Sequence, residues 1–226
     1  MSSEVYKLAF RLQKAFTPTV HVLVAKVLFT YMITTIVRER GDPGAVNREL
    51  FRQGLWGGNL AMLHLAPVDA LRRLWKPDPG GVRRFIEVFG SAAWHIFAGH
   101  VPSLRTEVLD RRGIVWAEVE EVPGRDAFYK VEAPEGVNTF YFVAGAYEGA
   151  TQTAYRLLGV EEQWVSMWRP LEGRGICGFY ARRDLDPREV EEVVRKRKPE
   201  FFDLISWNDS AAILEETLGF SIPRLQ

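Results

Sequence analysis

The chain has 226 residues, 47% hydrophobic and 26% charged, which supplies one ordinary globular core and excludes a disordered or collagen-like chain. Lysine plus arginine and aspartate plus glutamate both total 29, so the formal charge is +0; no global field draws polyanions, and no nucleic-acid partner is expected. The one cysteine, Cys177, excludes an internal disulfide framework and agrees with a reducing compartment, so a cytoplasmic protein forming a single domain over residues 1–226 is the expectation.

Residues 1–16 mix Glu4, Lys7, Arg11 and Lys14 into an amphipathic pattern instead of the unbroken apolar core of a secretory signal. VHVLVAKVLFTYMITTIV, residues 20–37, approaches the length of a membrane span. His21, Lys26 and several threonines interrupt it, however, and charge at a bilayer centre costs at least ~2.5 kcal/mol, so it reads as a buried helix. Val24, Val27, Leu28 and Tyr31 provide its helical spacing, and RERGDPG, with Gly41 and Pro43, stops it.

The next helix is predicted to begin near Asn47, a good N-cap residue, in NRELFRQGLWGGNLAMLHLA. Leu50, Phe51, Leu55, Leu60, Met62, Leu63 and Leu65 cover almost every side of it, which predicts burial nearly all round. Gly54, Gly58 and Ala61 fall on one face and make a shallow groove. Each interior glycine costs up to ~1 kcal/mol relative to alanine, so the groove must return contact area. Its occupant is either a neighbouring helix or an elongated apolar ligand.

KPDPGG links this helix to a third, whose apolar face is Phe85, Ile86, Phe89, Ala92, Ala93, Ile96 and Phe97 and whose end is marked by Gly99 and Pro102. The period then changes. LRTEVLDRRGIVWAEVEEV alternates around DRRG as a β-hairpin, NTFYFVAG reads as a short aromatic strand, and AYEGATQTAYRLLG as a helix closed by Gly159. QWVSMWRPLEGRGICGFYARR is a second hairpin turning at EGRG. Asp186, Pro187 and Glu189 occupy the N-cap, N1 and N3 positions of a surface helix, and SWNDSAAILEETLGF is a last helix ended by Gly219. Helices followed by antiparallel strands and further helices define an α+β order.

Few residues carry a chemical signature. The four histidines, His21, His64, His95 and His100, form no HExxH motif, no paired CxxC is present, and no metal is expected. His64 and His95 lie on apolar helices, where a hydrogen-bonded core role is the usual one, although a histidine in a pocket titrates near neutral pH. Cys177, in a predicted strand, reads as a small buried apolar residue; as a nucleophile it would need a base and a lowered pKa. No glycine set forms GxGxxG after a strand or GxxxxGK, so no nucleotide cofactor is expected. RKRK, residues 195–198, suits a helix C-terminus; its other reading is a contact with anionic lipid, at most peripheral. Trp56, Trp94, Trp164 and Trp168 lie on elements expected to face inward, as core or as the lining of an apolar cavity.

The long helix at 20–40, QGLWGGNLA with its glycine pair, the third helix leading into GHVPSL, FVAGAYEGA with Gly145 and Gly149, and the closing strand GRGICGFYARR stand in an order that resembles the small subunits of the TRAPP vesicle-tethering complex and their prokaryotic relatives, the 4-vinyl reductase domains. The resemblance covers roughly residues 20–183. It implies helices packed on one side of a twisted antiparallel sheet, dimerisation through the helices, and an internal apolar channel that in some members holds a fatty acyl chain or another hydrophobic small molecule. Two positions depart from the family. Ala66 to Trp75 contains no cysteine for acyl attachment, and Ser166, Met167 and Trp168 stand where a second hairpin cysteine would lie beside Cys177.

The expectation is therefore a non-enzymatic binding or scaffolding domain that holds a hydrophobic small molecule or lipid and pairs as a homodimer. Its candidate ligand-binding residues are Gly54, Trp56, Gly58, His64, Trp94, His95, Tyr141 and Cys177, with no catalytic residue, metal or cofactor assigned. The alternative is an enzyme acting on an apolar small molecule, vinyl-reductase-like, through His64, His95 or Cys177. A purely structural subunit with a filled core is the third reading.

Overall fold

The structure, a computed structural model, describes residues 22–65, 68–98, 103–120, 133–171, 174–203, 206–222 and 224, with backbone alone at 22–26, 65, 92–98 and 202–203. Four helices come first: α1 (Val22–Arg40), α2 (Pro43–Leu65), α3 (Val68–Leu74) and α4 (Pro79–Ala98). The hairpin β1 (Ser103–Asp110) and β2 (Ile114–Glu120) follows, then α5 (Phe140–Leu158) and the hairpin β3 (Trp164–Leu171) and β4 (Gly175–Arg182). The chain closes with α6 (Pro187–Arg197), a 3-10 turn (Pro199–Asp203) and α7 (Trp207–Leu218). Among the described residues this is an α+β fold built on one four-stranded antiparallel sheet of order β1-β2-β4-β3.

The register shows which side chains share a face. Thr106, Ala117, Gly178 and Trp168 align across the sheet on one side; Glu107, Trp116, Phe179 and Met167 align on the other. The first face carries the main helical layer. Thr106 donates to Glu87 of α4 at 2.6 Å, Ser166 to Glu148 of α5 at 3.2 Å, and Trp168 packs on Tyr147 of α5 with ring centroids 4.9 Å apart. The second face is covered by the C-terminal elements, where Phe201 of the 3-10 turn meets Trp116 and Phe179, and Trp207 of α7 stacks on Phe179. One apolar cluster runs from Phe29 to Ile222 through both layers. No described helix is long and apolar enough to cross a membrane.

Local rules account for many ends. Asp186 accepts from the Arg188 amide at 2.9 Å with Pro187 at N1, and Ser206 accepts from the Asp209 amide at 3.1 Å, capping α6 and α7 as their sequences predict. Gly159 and Gly219 close α5 and α7 in the left-handed conformation. The predicted helix end at Gly99 and Pro102 lies outside the described residues.

Several expectations are corrected. α2 starts a turn before Asn47, at Pro43, because Asp42 accepts from the Ala45 amide at 2.7 Å and serves as the cap. Asn47 instead fastens the entry to α5: its Oδ1 accepts from the Asn138 amide at 2.9 Å, and its Nδ2 donates to the Gly136 carbonyl at 2.9 Å. NTFYFVAG is not a strand. Phe140, Tyr141 and Val143 have strand preferences, but they begin a 19-residue helix because the reward for packing on α2 exceeds intrinsic preference. The short helix α3 and the 3-10 turn have no counterpart in the sequence reading.

The largest correction concerns exposure. Among the described side chains of α1 the buried ones are Phe29, Ile33 and Ile36, whereas Val27, Leu28 and Tyr31, read as its structural face, are 59%, 61% and 71% exposed. α2 is not buried all round either, since Trp56, Leu60 and Leu63 are 46%, 50% and 54% exposed.

Candidate functional site

The predicted groove exists, and its occupant is a helix. A Cβ built on Gly54 would meet the Phe142 carbonyl oxygen at 2.1 Å, and one on Gly58 the Ala146 oxygen at 2.0 Å. The relation is reciprocal: a Cβ on Gly145 would lie 2.1 Å from the Phe51 oxygen, and one on Gly149 2.1 Å from the Leu55 oxygen. Two glycines spaced four apart on α2 therefore mesh with two spaced four apart on α5, and the backbones touch where side chains usually stand. Thr153 closes the seam, donating to Asn59 at 2.7 Å. The space beside Gly54 and Gly58, assigned to a guest, is filled by α5 backbone, so neither glycine faces a ligand there.

Tight docking of α5 brings polar side chains to the free edge of β3. Buried edge carbonyls and amides need partners. Gln152 donates to the Ser166 carbonyl at 3.4 Å, Glu148 accepts from the Trp168 amide, and Arg169 bends back to donate to the Trp168 carbonyl. Gln152 also donates to Glu148 at 3.0 Å. Burial pushes the Glu148 carboxyl up to about 7, against the opposing pull of Gln152, the Arg169 charge, the Ser166 hydroxyl and the Trp168 amide. Burial also lowers the pKa of the Arg169 guanidinium, whose central carbon sits 5.2 Å from the Phe51 ring and 6.0 Å from the Phe201 ring. Glu148 Oε2 and Arg169 Nε and Nη2 have no hydrogen-bond partner among the described residues. This cluster is absent from the sequence reading. Its signal was a single acid between Gly145 and Gly149 in an otherwise apolar run, with a glutamine one turn on.

Of the eight predicted site residues, the six whose side chains are described do not converge. Gly54 and Gly58 are in the seam, and Trp56 and His64 are on the exposed side of α2, which corrects the inward placement of Trp56 and the core role of His64. The side chains of Trp94 and His95 lie outside the described residues, while Trp164 and Trp168 are buried as expected. Cys177 is fully buried on β4, on the sheet face away from α5, and burial raises its thiol pKa far above the ordinary value. Tyr141, alone among the described six, lines an open cleft, between α2 and α7. Among the described residues no group of three histidine, cysteine or acidic side chains stands ready for a metal. The RKRK run is largely engaged in ion pairs: Arg195 with Glu191 at 2.7 Å, Arg197 with Glu107 at 2.6 Å, and Lys198 with Glu118 at 3.2 Å.

What remains open is the outside of the helical layer. Val27, Leu28 and Tyr31 on α1 and Trp56, Leu60 and Leu63 on α2 are the exposed large hydrophobic residues among those described, and the two helices pack against each other. The three on α1 recur at intervals of one and three, and the three on α2 at four and three, so each set forms a stripe on its helix. No protein-family model and no curated protein matches the chain.

Proposed function

We propose that the protein is a non-enzymatic, cytoplasmic binding or scaffolding domain whose working surface is the outer apolar face of α1 and α2, and that its occupant there is a second copy of the same chain. The observation that carries this is six large hydrophobic side chains, each 46% to 71% exposed, confined to two adjacent helices. Together they present on the order of 600 Å² of surface, the upper end of what a monomer leaves uncovered and close to the share of each partner in a standard interface. A two-fold axis through such a face sets each stripe against its own copy. None of the six residues is charged, and a formal charge of +0 imposes no long-range repulsion between copies. The resemblance to TRAPP small subunits and 4-vinyl reductase domains carries the same expectation of pairing through helices.

A hydrophobic small molecule is the competing occupant. Because the volume beside Gly54 and Gly58 is taken by backbone, the apolar surface open to it is this outer stripe, and area and symmetry favour the second copy. The enzyme reading is weakened by the burial and raised pKa of Cys177 and by the exposed position of His64. Light scattering after size-exclusion chromatography tests the proposal. The wild type is expected to run as a dimer, and the double variant Tyr31→Glu, Leu60→Glu as a folded monomer. A wild type that stays monomeric at every accessible concentration overturns it. An acyl chain detected by native mass spectrometry and lost after organic extraction transfers the stripe to the competing occupant.

A further inference from the structure

A second surface, on the other half of α2, has an unfinished charge account. Between α2 and α7 lies a cleft of about 440 Å³, within the size range of small-molecule sites, whose wall includes Arg48, Arg52, Tyr141, Asp209, Ile213 and Glu216. Arg52 is satisfied, pairing with Glu49 at 3.0 Å and with Glu216 at 2.9 Å. Asn47, also in the wall, has both ends of its amide committed to the start of α5.

Three polar groups are left. The Arg48 guanidinium has no ion pair or hydrogen bond among the described residues. The Asp209 carboxylate accepts from the Ser206 hydroxyl at 2.8 Å and is paired with no cation. The Tyr141 hydroxyl belongs to a residue only 8% exposed, and it has no hydrogen-bond partner among the described residues. Arg48 and Asp209 face one cleft yet stand too far apart to pair with each other, since no contact within 4.0 Å joins them. An exposed cation and an exposed anion on the wall of one recess, with the Tyr141 hydroxyl and the largely buried Ile213 in the same wall, match a guest carrying both charges. The guest's carboxylate pairs with Arg48 and its ammonium with Asp209, each in place of solvent, and an apolar body covers Ile213. The buried Arg169, whose charge acts on both Tyr141 and Asp209, adds positive potential to this region.

We infer that the cleft between α2 and α7 binds a small zwitterionic amino-carboxylate with an apolar side chain, through Arg48, Tyr141 and Asp209. The site is independent of the outer stripe, so its failure leaves the dimer proposal untouched.

Titration calorimetry on the full chain with L-leucine and L-phenylalanine tests it. The expected result is saturable binding of at least one of them. Leucinamide, which lacks the carboxylate, and 4-methylpentanoate, which lacks the ammonium, are expected to bind at least about tenfold more weakly, one lost charge contact corresponding to about that factor. Arg48→Met and Asp209→Asn are each expected to lower affinity by about tenfold, while the melting temperature confirms that both variants fold. Tyr141→Phe is expected to weaken binding less. Absence of saturable binding by both amino acids overturns the inference, and so does binding that neither substitution alters. Equal affinity for 4-methylpentanoate and L-leucine overturns the zwitterion assignment and makes the cleft a simple carboxylate site.

Discussion

Helix α2 presents two apolar sides that meet opposite fates. Toward α5 it offers Gly54 and Gly58, with Phe51 and Leu55 beside them, and that side is closed until backbone touches backbone. Away from α5 it offers Trp56, Leu60 and Leu63, larger and more hydrophobic, and about half of each is left in solvent. Total hydrophobicity thus ranks the two sides in the wrong order. The absence of side chain marks the inner side, because only glycine lets helix axes come close enough for carbonyl oxygens to occupy the place of a Cβ.

The sharpest way to break this comparison is to give the seam its missing methyl groups. Gly58→Ala or Gly149→Ala places a Cβ about 2 Å from a carbonyl oxygen on the partner helix, and each is expected to destabilise the fold by roughly 3 kcal/mol or more, overriding the propensity gain of up to ~1 kcal/mol. Denaturant unfolding measures it; an unchanged midpoint would show that the helices part at little cost.

Next in size is the polar plug behind the seam. Glu148 is held protonated to about pH 7, whereas its ordinary value is 4.5. Between those values the folded state binds a proton that the unfolded state has released, so the contribution is fully present below pH 4.5 and is lost as pH rises through 7. The loss is on the order of 3 kcal/mol. Glu148→Gln keeps an oxygen for the Trp168 amide and removes the titration. Unfolding free energies measured from pH 5 to pH 8 are expected to fall for the wild type relative to this variant; parallel profiles would place the carboxylate in contact with water.

The smallest effect is the internal control. Gly57 stands between Trp56 and Gly58 but on the exposed side, where an added Cβ would come no nearer than 3.9 Å to the Phe142 ring. Gly57→Ala is expected to stabilise the protein by up to ~1 kcal/mol, as an alanine does in an open helical position. Opposite signs at adjacent glycines would localise the seam to one side of the helix. A loss at Gly57 comparable to that at Gly58 would remove the distinction.

Much of the fold was legible because it rests on local chemistry. Asp186 with Pro187, Ser206, Gly159 and Gly219 mark helix ends through hydrogen bonds or backbone conformations available within a few residues, and the two hairpins announce themselves by alternation around their turns. The site was less legible. Asn47 looks like the cap of its own helix and instead ties down Asn138, ninety-one residues later. Glu148 looks like one surface acid among many until β3 brings the Trp168 amide to it. Val27, Leu28 and Tyr31 satisfy the spacing of a core face, but periodicity identifies a face without saying which neighbour covers it.

By itself the sequence determined the α+β order, several of the helix ends and the requirement that something approach Gly54 and Gly58 closely, because each follows from steric and hydrogen-bonding rules acting over a few residues. Only the tertiary structure decided that this partner is α5, that an aromatic segment expected to be extended is helical, and that the remaining apolar stripe of α1 and α2 faces outward. Those outcomes depend on which distant backbone each surface meets; α5 fills the seam, and the bulkier side chains opposite it are left about half exposed.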